Sequence, residues 1–187
     1  MILEIVMYGN PVLREKGREV KPTDDKIGEL AANMIETMRD AHGVGLAAQQ
    51  VGVAAQLCVI DVAGIEDRPS AMWIGDKEVP IEEHMPLVLL NPVLKFSEEK
   101  ESGNEGCLSF PDITAEITRS CGVQCTATLL DGKKIEFEAA GLLARALQHE
   151  TDHLHGVLFI DRMNAATKAG ISGKLKRLQK ETKETRG

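Results

Sequence analysis

Two histidines and a glutamate carry the chemistry that this sequence suggests most directly. His149, Glu150 and His153 form a His-Glu-x-x-His pattern, and on a helix the two imidazoles project from one face, one turn apart. Such a pair can bind one divalent metal ion, and the carboxylate beside it can take a proton from water that the ion binds. The pattern predicts a metal-dependent hydrolase, although a polar helix face without a metal would use the same residue types.

A cysteine offers a third ligand for the same ion. Cys107 lies in the segment Glu105-Gly106-Cys107-Leu108-Ser109, which we interpret as a loop. One thiolate and two imidazoles leave a fourth position open for water, which is the arrangement of a catalytic metal site. Taken alone, Cys107 could equally be a thiol nucleophile or a small buried hydrophobic residue.

A third segment, from Gly43 to Gly52, is rich in small residues and lies between a helix and a strand. Its glycines let the backbone approach a ligand closely, so a peptide substrate could lie along it, but a tight connection packed on the core has the same composition. Gln50 is polar within an apolar run and needs a partner, for which a substrate oxyanion is one candidate.

Hydrophobic periodicity places these segments in an α+β fold. Thr23 can cap an N-terminal helix in which apolar residues recur at helical spacing from Ile27 to Met38, the motif helix is predicted over 138–154, and a basic helix begins at about Ala166. Because the strands lie between separated helices, we predict mostly antiparallel short sheets packed around a central metal-binding helix, with an N-terminal helix and a C-terminal helix. Strand patterns occur at 56–62, 87–90, 115–118, 123–130 and 134–137.

Length and composition indicate one globular domain over residues 1–187, with 43% hydrophobic and 27% charged residues. Residues 63–86 contain several glycines and prolines with weak periodicity, so we predict a surface insertion, either a hairpin or a lid. Residues 164–187 are predicted to form a basic C-terminal helix or tail. The stretch 161–187 carries a net charge of +5 and the remainder −12, which suggests an anionic partner such as RNA or simply a solvated helix face.

Other classes of protein are disfavoured by the same composition. Aromatic residues make up only 3% of the chain, which argues against sequence-specific nucleic-acid recognition. No apolar stretch approaches the roughly 20 residues of a membrane span, and no basic leader is present, so we expect a cytoplasmic protein with no membrane association. Three cysteines show no disulfide framework and are predicted to be structural in a reducing compartment: Cys58, Cys121 and Cys125.

Taken together, the three segments resemble the peptide deformylase family. The motifs that carry the resemblance are Gly43–Gln50, Glu105–Ser109 and His149–His153, supported by Gly9–Arg14 and Gly156–Arg162. The resemblance implies that the metal ligands are Cys107, His149 and His153. It implies that Glu150 is the general acid/base and that Gln50 and the backbone N–H of Leu108 hold the oxygen of the tetrahedral intermediate. The substrate cleft would be lined by Val44, Gly45, Glu105 and Leu142.

The resemblance also implies the reaction, which is hydrolytic removal of the formyl group from the N-terminal formyl-methionine of nascent polypeptides, with release of formate. The family normally uses one Fe(II) ion, and zinc, nickel or cobalt can occupy the site. The basic C-terminal helix resembles the one through which bacterial members are thought to dock on the ribosome. Two rival functions use the same residues, namely a metallopeptidase with a different third ligand and a non-catalytic ribosome- or peptide-binding module.

Overall fold

The computed structural model describes residues 1–186, so Gly187, the last residue of the predicted tail, lies outside the described residues. The predicted α+β class is confirmed, because helices pack on antiparallel sheets. The helices are α1 (Asp25–Asp40), α2 (Leu142–Leu154), α3 (Ala165–Gly170) and α4 (Ser172–Arg186). The strands are β1 (Gly45–Ala47), β2 (Leu57–Ile60), β3 (Ser70–Ile74), β4 (Lys77–Val79), β5 (Leu87–Phe96), β6 (Lys100–Cys107), β7 (Phe110–Ser120), β8 (Gly122–Thr128) and β9 (Lys134–Gly141).

The strands form a larger and a smaller sheet. The larger sheet has the order β1-β2-β5-β8-β9-β3-β4, and β6 and β7 form a separate two-stranded sheet. All neighbouring strands in both sheets run antiparallel. The side chains of β2 alternate between two hydrophobic clusters: Cys58 and Ile60 belong to the cluster with α2, and Leu57 and Val59 to the cluster with α1. This part of the larger sheet therefore lies between the two helices.

Helix α2 is the central helix, but it begins later than predicted. Glu138 pairs with Trp73 of β3 and Gln124 of β8, so the first residues of the predicted helix belong to β9. The chain turns into α2 at Gly141, whose φ is 69° and where a Cβ atom would lie 2.1 Å from the Pro69 carbonyl oxygen. Only glycine fits there, and the strand therefore leads directly into the helix that carries the motif.

Residues 63–86 differ from the predicted surface insertion. Strands β3 and β4 do form a hairpin, but β3 also pairs with β9 and extends the larger sheet. Met72 of β3 is fully buried in the cluster with α2. Since Met72 contributes to the core, removing residues 63–86 would expose apolar surface of the cluster with α2.

Several other element bounds differ from the sequence prediction. Strand β5 continues to Phe96 because a bulge at Asn91, whose φ is 51°, lets the strand resume its pairing with β8. Asn91 also fixes the N-terminal segment, since its side chain accepts from Val20 N at 2.9 Å and donates to Val20 O at 2.8 Å. Helix α1 is capped by Asp24 instead of Thr23.

The predicted basic C-terminal helix is formed by α3 and α4. Leu175 and Thr182 of α4 are buried, whereas its lysines and arginines are exposed. Among the described residues, none of the helices combines the length and the apolar character that a bilayer span requires.

Candidate metal centre and substrate cavity

Helix α2 and the end of β6 bring the three predicted ligands together. The Sγ atom of Cys107 and the ring nitrogens of His149 and His153 all lie within 4.8 Å of one another. Cys107 Sγ lies 3.4 Å from His153 Nε2. Because His149 and His153 are four residues apart on α2, the helical spacing places both imidazoles towards the thiol.

Cys107 is the last residue of β6, although the sequence suggested a loop. It pairs with Phe110 across the turn into β7, and the pairing shifts register directly after Gly106. The end of β6 in the small sheet thus places the thiol next to the histidines of α2. Leu108 lies in the turn itself, next to the thiol.

Glu150 is buried beside this cluster, with 4% of its surface exposed. A Cβ atom on Gly45 would lie 2.7 Å from Glu150 Oε1, so the carboxylate packs directly on the β1 backbone. Its Oε2 atom has no hydrogen-bond partner within the described chain. Burial raises the pKa of Glu150 to about 7. The carboxylate can therefore exchange a proton near neutral pH, and one of its buried oxygens has no hydrogen-bond partner within the described chain.

Gln50 faces the same cluster from the 3-10 helix that follows β1. Its Nε2 donates to Ser109 Oγ at 3.2 Å and lies 3.5 Å from Cys107 Sγ, while its Oε1 accepts from Ala47 N at 3.0 Å. The bond from Ala47 fixes the amide orientation, so the amide N–H groups point towards the thiol.

A cavity of about 500 Å³ opens onto these groups. Nine of the ten predicted site residues line it, and His153 lies behind them with 1% exposure. Part of the wall is formed by apolar side chains. The predicted residues that line the cavity are Val44, Gly45, Gln50, Glu105, Cys107, Leu108, Leu142, His149 and Glu150.

The chain resembles known proteins over nearly its whole length. The sequence profile of the polypeptide deformylase family matches residues 2–169. The chain belongs to the peptide deformylase family. It is 47% identical to the peptide deformylase of Methylacidiphilum infernorum, over 96% of this chain and 94% of the relative, and 41% identical to that of Opitutus terrae, over 98% and 96%.

Solved peptide deformylases share the fold. A plant peptide deformylase superposes with a TM-score of 0.83 at 37% identity, covering 98% of this chain and 92% of that one. The enzyme from Thermus thermophilus gives a TM-score of 0.79 at 34% identity, covering 97% and 99%. Peptide deformylases are metal-dependent hydrolases, so this chain is an enzyme of that class.

The donor atoms fit the divalent ion that a peptide deformylase requires. Ligands at about 2.0–2.3 Å from a tetrahedral ion lie about 3.5 Å from one another, so this cluster needs only small side-chain adjustments. Burial alone would lower the pKa of His149, but hydrogen bonds with Cys107 and Glu105 outweigh it and raise the pKa well above its usual value. Burial lowers the pKa of His153. Since a ligating imidazole is neutral, we expect metal binding to displace a proton from His149.

A buried group of charges behind His149 was missed by the sequence analysis. The carboxylate of Glu105 is 2.9 Å from His149 Nδ1 and contacts the guanidinium groups of Arg119 and Arg145. Burial would raise the pKa of Glu105, but the hydrogen bonds from Arg119 and His149 hold it well below its usual range. Glu105 is therefore ionised, and because a carboxylate only accepts, His149 carries its proton on Nδ1 and directs Nε2 away from Glu105.

Proposed function

We propose that this chain removes the formyl group from the N-terminal formyl-methionine of nascent polypeptides and releases formate. The main support is that the Cys107, His149 and His153 donor atoms lie together beside Glu150, at the wall of a cavity with an apolar side. Membership of the peptide deformylase family supports the same reaction.

Cys107, His149 and His153 would hold one divalent ion. Bound there, the ion would supply Lewis-acid chemistry, lowering the pKa of a water from about 15.7 towards 7 and polarising the formyl carbonyl. We propose Fe(II) as the native metal, and zinc, nickel or cobalt can use the same thiolate and imidazole donors.

Glu150 would act as the general base and then as the general acid. Burial raises the pKa of Glu150 to about 7 in the metal-free chain. A bound cation nearby would favour the ionised form, so the carboxylate could take a proton from the attacking water at neutral pH. The same carboxyl group would then protonate the amine of methionine as the bond to the formyl carbon breaks. Gly45 fixes the carboxylate, because the β1 backbone leaves it no room on that side.

Gln50 and Leu108 would stabilise the negative charge that develops on the formyl oxygen. The Gln50 amide already points towards Cys107, and Leu108 lies next to the ligand in the turn. A donor that is held in place before the reaction contributes about 3 kcal/mol to transition-state stabilisation. Val44, Gly45, Glu105 and Leu142 would line the cleft that receives the methionine.

Formate release from formyl-Met-Ala-Ser tests this proposal. The protein is purified without oxygen, its metal content is determined, and Glu150→Ala is measured in parallel with Glu116→Gln, which changes an exposed carboxylate on β7. We expect turnover with about one metal per chain in wild type and Glu116→Gln, and loss of turnover with retained metal in Glu150→Ala. A fully metallated wild type that releases no formate would favour a binding role instead.

We further propose that the chain is a single cytoplasmic domain whose basic C-terminal helix docks on the ribosome. A reducing compartment suits a site that uses the thiolate of Cys107. The exposed basic side chains of α4 would contact ribosomal RNA phosphates, and such binding weakens as salt rises.

Co-sedimentation with ribosomes tests this docking. We expect charge reversal on α4 to abolish co-sedimentation at low salt while free-peptide turnover stays unchanged. A control with three reversed lysines away from α4 should still sediment, and equal binding by both variants would refute the role of α4. The α4 changes are Lys174→Glu, Lys176→Glu and Arg177→Glu, and the control changes are Lys100→Glu, Lys133→Glu and Lys134→Glu.

A further inference from the structure

Glu105 has every acceptor position filled by a buried donor. Its Oε2 accepts from Arg119 Nε at 2.7 Å and from Arg145 Nη1 at 2.7 Å, and its Oε1 accepts from Arg119 Nη2 at 2.9 Å and from His149 Nδ1 at 2.9 Å. A carboxylate offers about four lone-pair sites, so these four bonds determine its orientation completely.

Arg145 connects this carboxylate to three elements. It lies on α2 one turn before His149 and is 6% exposed. Besides its bond to Glu105, Nη1 donates to the Ile117 carbonyl at 2.9 Å and Nη2 to the Glu101 carbonyl at 3.1 Å. The guanidinium is thus fixed to the backbone of both β6 and β7, and it cannot move without breaking several buried hydrogen bonds.

Gly103 of β6 leaves the space that the guanidinium occupies. A Cβ atom at this position would lie 3.0 Å from Arg145 Cζ, 3.0 Å from Nη2 and 3.1 Å from Nε. Even a methyl group at residue 103 would therefore require the guanidinium to shift by a few tenths of an ångström, which strains its hydrogen bonds. The missing side chain of Gly103 on β6 and the guanidinium of Arg145 on α2 are therefore complementary in shape.

Arg119 binds Glu105 through two nitrogens, but it also binds a second carboxylate. Its Nη1 donates to Asp152 Oδ2 at 2.8 Å, and Asp152 is also bound by Arg162. Arg119 is therefore shared between two carboxylates, whereas Arg145 has Glu105 as its single carboxylate partner among the described residues. The second guanidinium on Oε2 opposes rotation of the Glu105 carboxylate away from His149.

We propose that Arg145 is a positioning residue for the metal ligand His149, acting through Glu105. By fixing Oε1 against Nδ1–H, it holds the imidazole in the tautomer and ring orientation that present Nε2 to the ion. This inference rests on the proposed function only in its choice of His149 as a ligand. The partners of a ligating histidine typically change metal affinity by 10–100-fold.

The test measures Co(II) binding by Arg145→Met, Arg145→Lys and wild type, using competition with a chelator and the visible spectrum of the cobalt-loaded proteins. We expect Arg145→Met to raise the dissociation constant by up to about 10-fold, less than the loss of a direct partner of His149 would cause, and to shift the cobalt bands. Arg145→Lys should recover part of the affinity through one bond to Glu105. Arg18→Met, the same change at an exposed site outside the cavity, should bind as wild type does. A folded Arg145→Met with wild-type affinity and spectrum would overturn the proposal.

Gly103→Ala provides an independent test that keeps every charged group. It should weaken cobalt binding in the same direction and by less, because it displaces the guanidinium without removing it. In the Arg145→Met background the added methyl group should have no further effect on affinity, whereas additive losses would refute the coupling. Formate release by wild type is measured separately, so a protein that binds cobalt through His149 but hydrolyses nothing would defeat the deformylase proposal and leave this one standing.

Discussion

Replacing Glu150 with glutamine should stabilise the metal-free protein while it removes the activity. Glu150 is 4% exposed, and burial raises its pKa from the ordinary value of 4.5 to about 7. Each pKa unit corresponds to about 1.4 kcal/mol, so keeping this group in the fold at high pH costs about 3 kcal/mol. A neutral glutamine of nearly the same shape avoids that cost.

The sign follows from proton binding. Between about pH 4.5 and pH 7 the folded chain retains a proton on Glu150 that the unfolded chain has released. Raising the pH through this window therefore favours unfolding: the contribution of Glu150 to stability is fully present below pH 4.5 and lost once the pH passes about 7. We expect the advantage of Glu150→Gln over wild type to grow across this window by about 3 kcal/mol and then to level off.

Urea unfolding of chelator-treated protein at a series of pH values measures this difference. Glu116→Gln, which changes an exposed carboxylate on β7, should follow the wild-type curve and serves as the control. A constant difference between Glu150→Gln and wild type from pH 4.5 to pH 8 would show that burial does not perturb Glu150 and would refute the reasoning.

Three further changes test other contacts of the site. Gly45→Ala places a methyl group 2.7 Å from Glu150 Oε1, so formate release should fall by up to about 100-fold with metal retained, and unchanged turnover would contradict the packing argument. Cys107→Ala should lose the metal ion on purification while the metal-free chain keeps its stability, which metal analysis and urea unfolding check. Arg119→Met leaves Glu105 with Arg145 and His149 as its partners, so it should lower the free energy of unfolding by about 1–3 kcal/mol in the same assay; an unchanged free energy of unfolding would argue against a structural role for this pair.

The closeness of the two histidines proposed as metal ligands on α2 could be predicted from the sequence because their geometry is local. On any helix, residues 149 and 153 face the same side, whatever the rest of the fold is. Cys107 is a different case, since its distance from the histidines depends on how β6 and β7 pair. Its assignment relied on the family resemblance, and the structure brings the thiol to the histidines as that resemblance implied.

The positions of Arg119 and Arg145 behind His149 result from tertiary packing, so residue spacing in the sequence did not reveal them. A signal for Arg119 was nevertheless present, because β7 buries Ile113, Ala115 and Ile117 in alternation and Arg119 occupies the next inward position. A charged residue at an inward position must have a partner. Arg145 offered a similar signal, four residues before His149 on the same helix face. The start of α2 was mispredicted because apolar residues 139–143 fit both a strand and a helix.

The pKa values of two buried carboxylates near the proposed ligands are shifted in opposite directions, and the surroundings of each carboxylate account for the role proposed for it. Glu105 is bound by two guanidinium groups that keep its pKa well below the usual range, so it stays ionised and can only accept hydrogen bonds. Glu150 is buried without a guanidinium bond, and its pKa rises to about 7. A carboxylate that never takes a proton is suited to orient His149, and one that takes a proton near neutrality is suited to transfer it. Because both residues are glutamates, the different roles proposed for them come from their surroundings and not from the side chain itself.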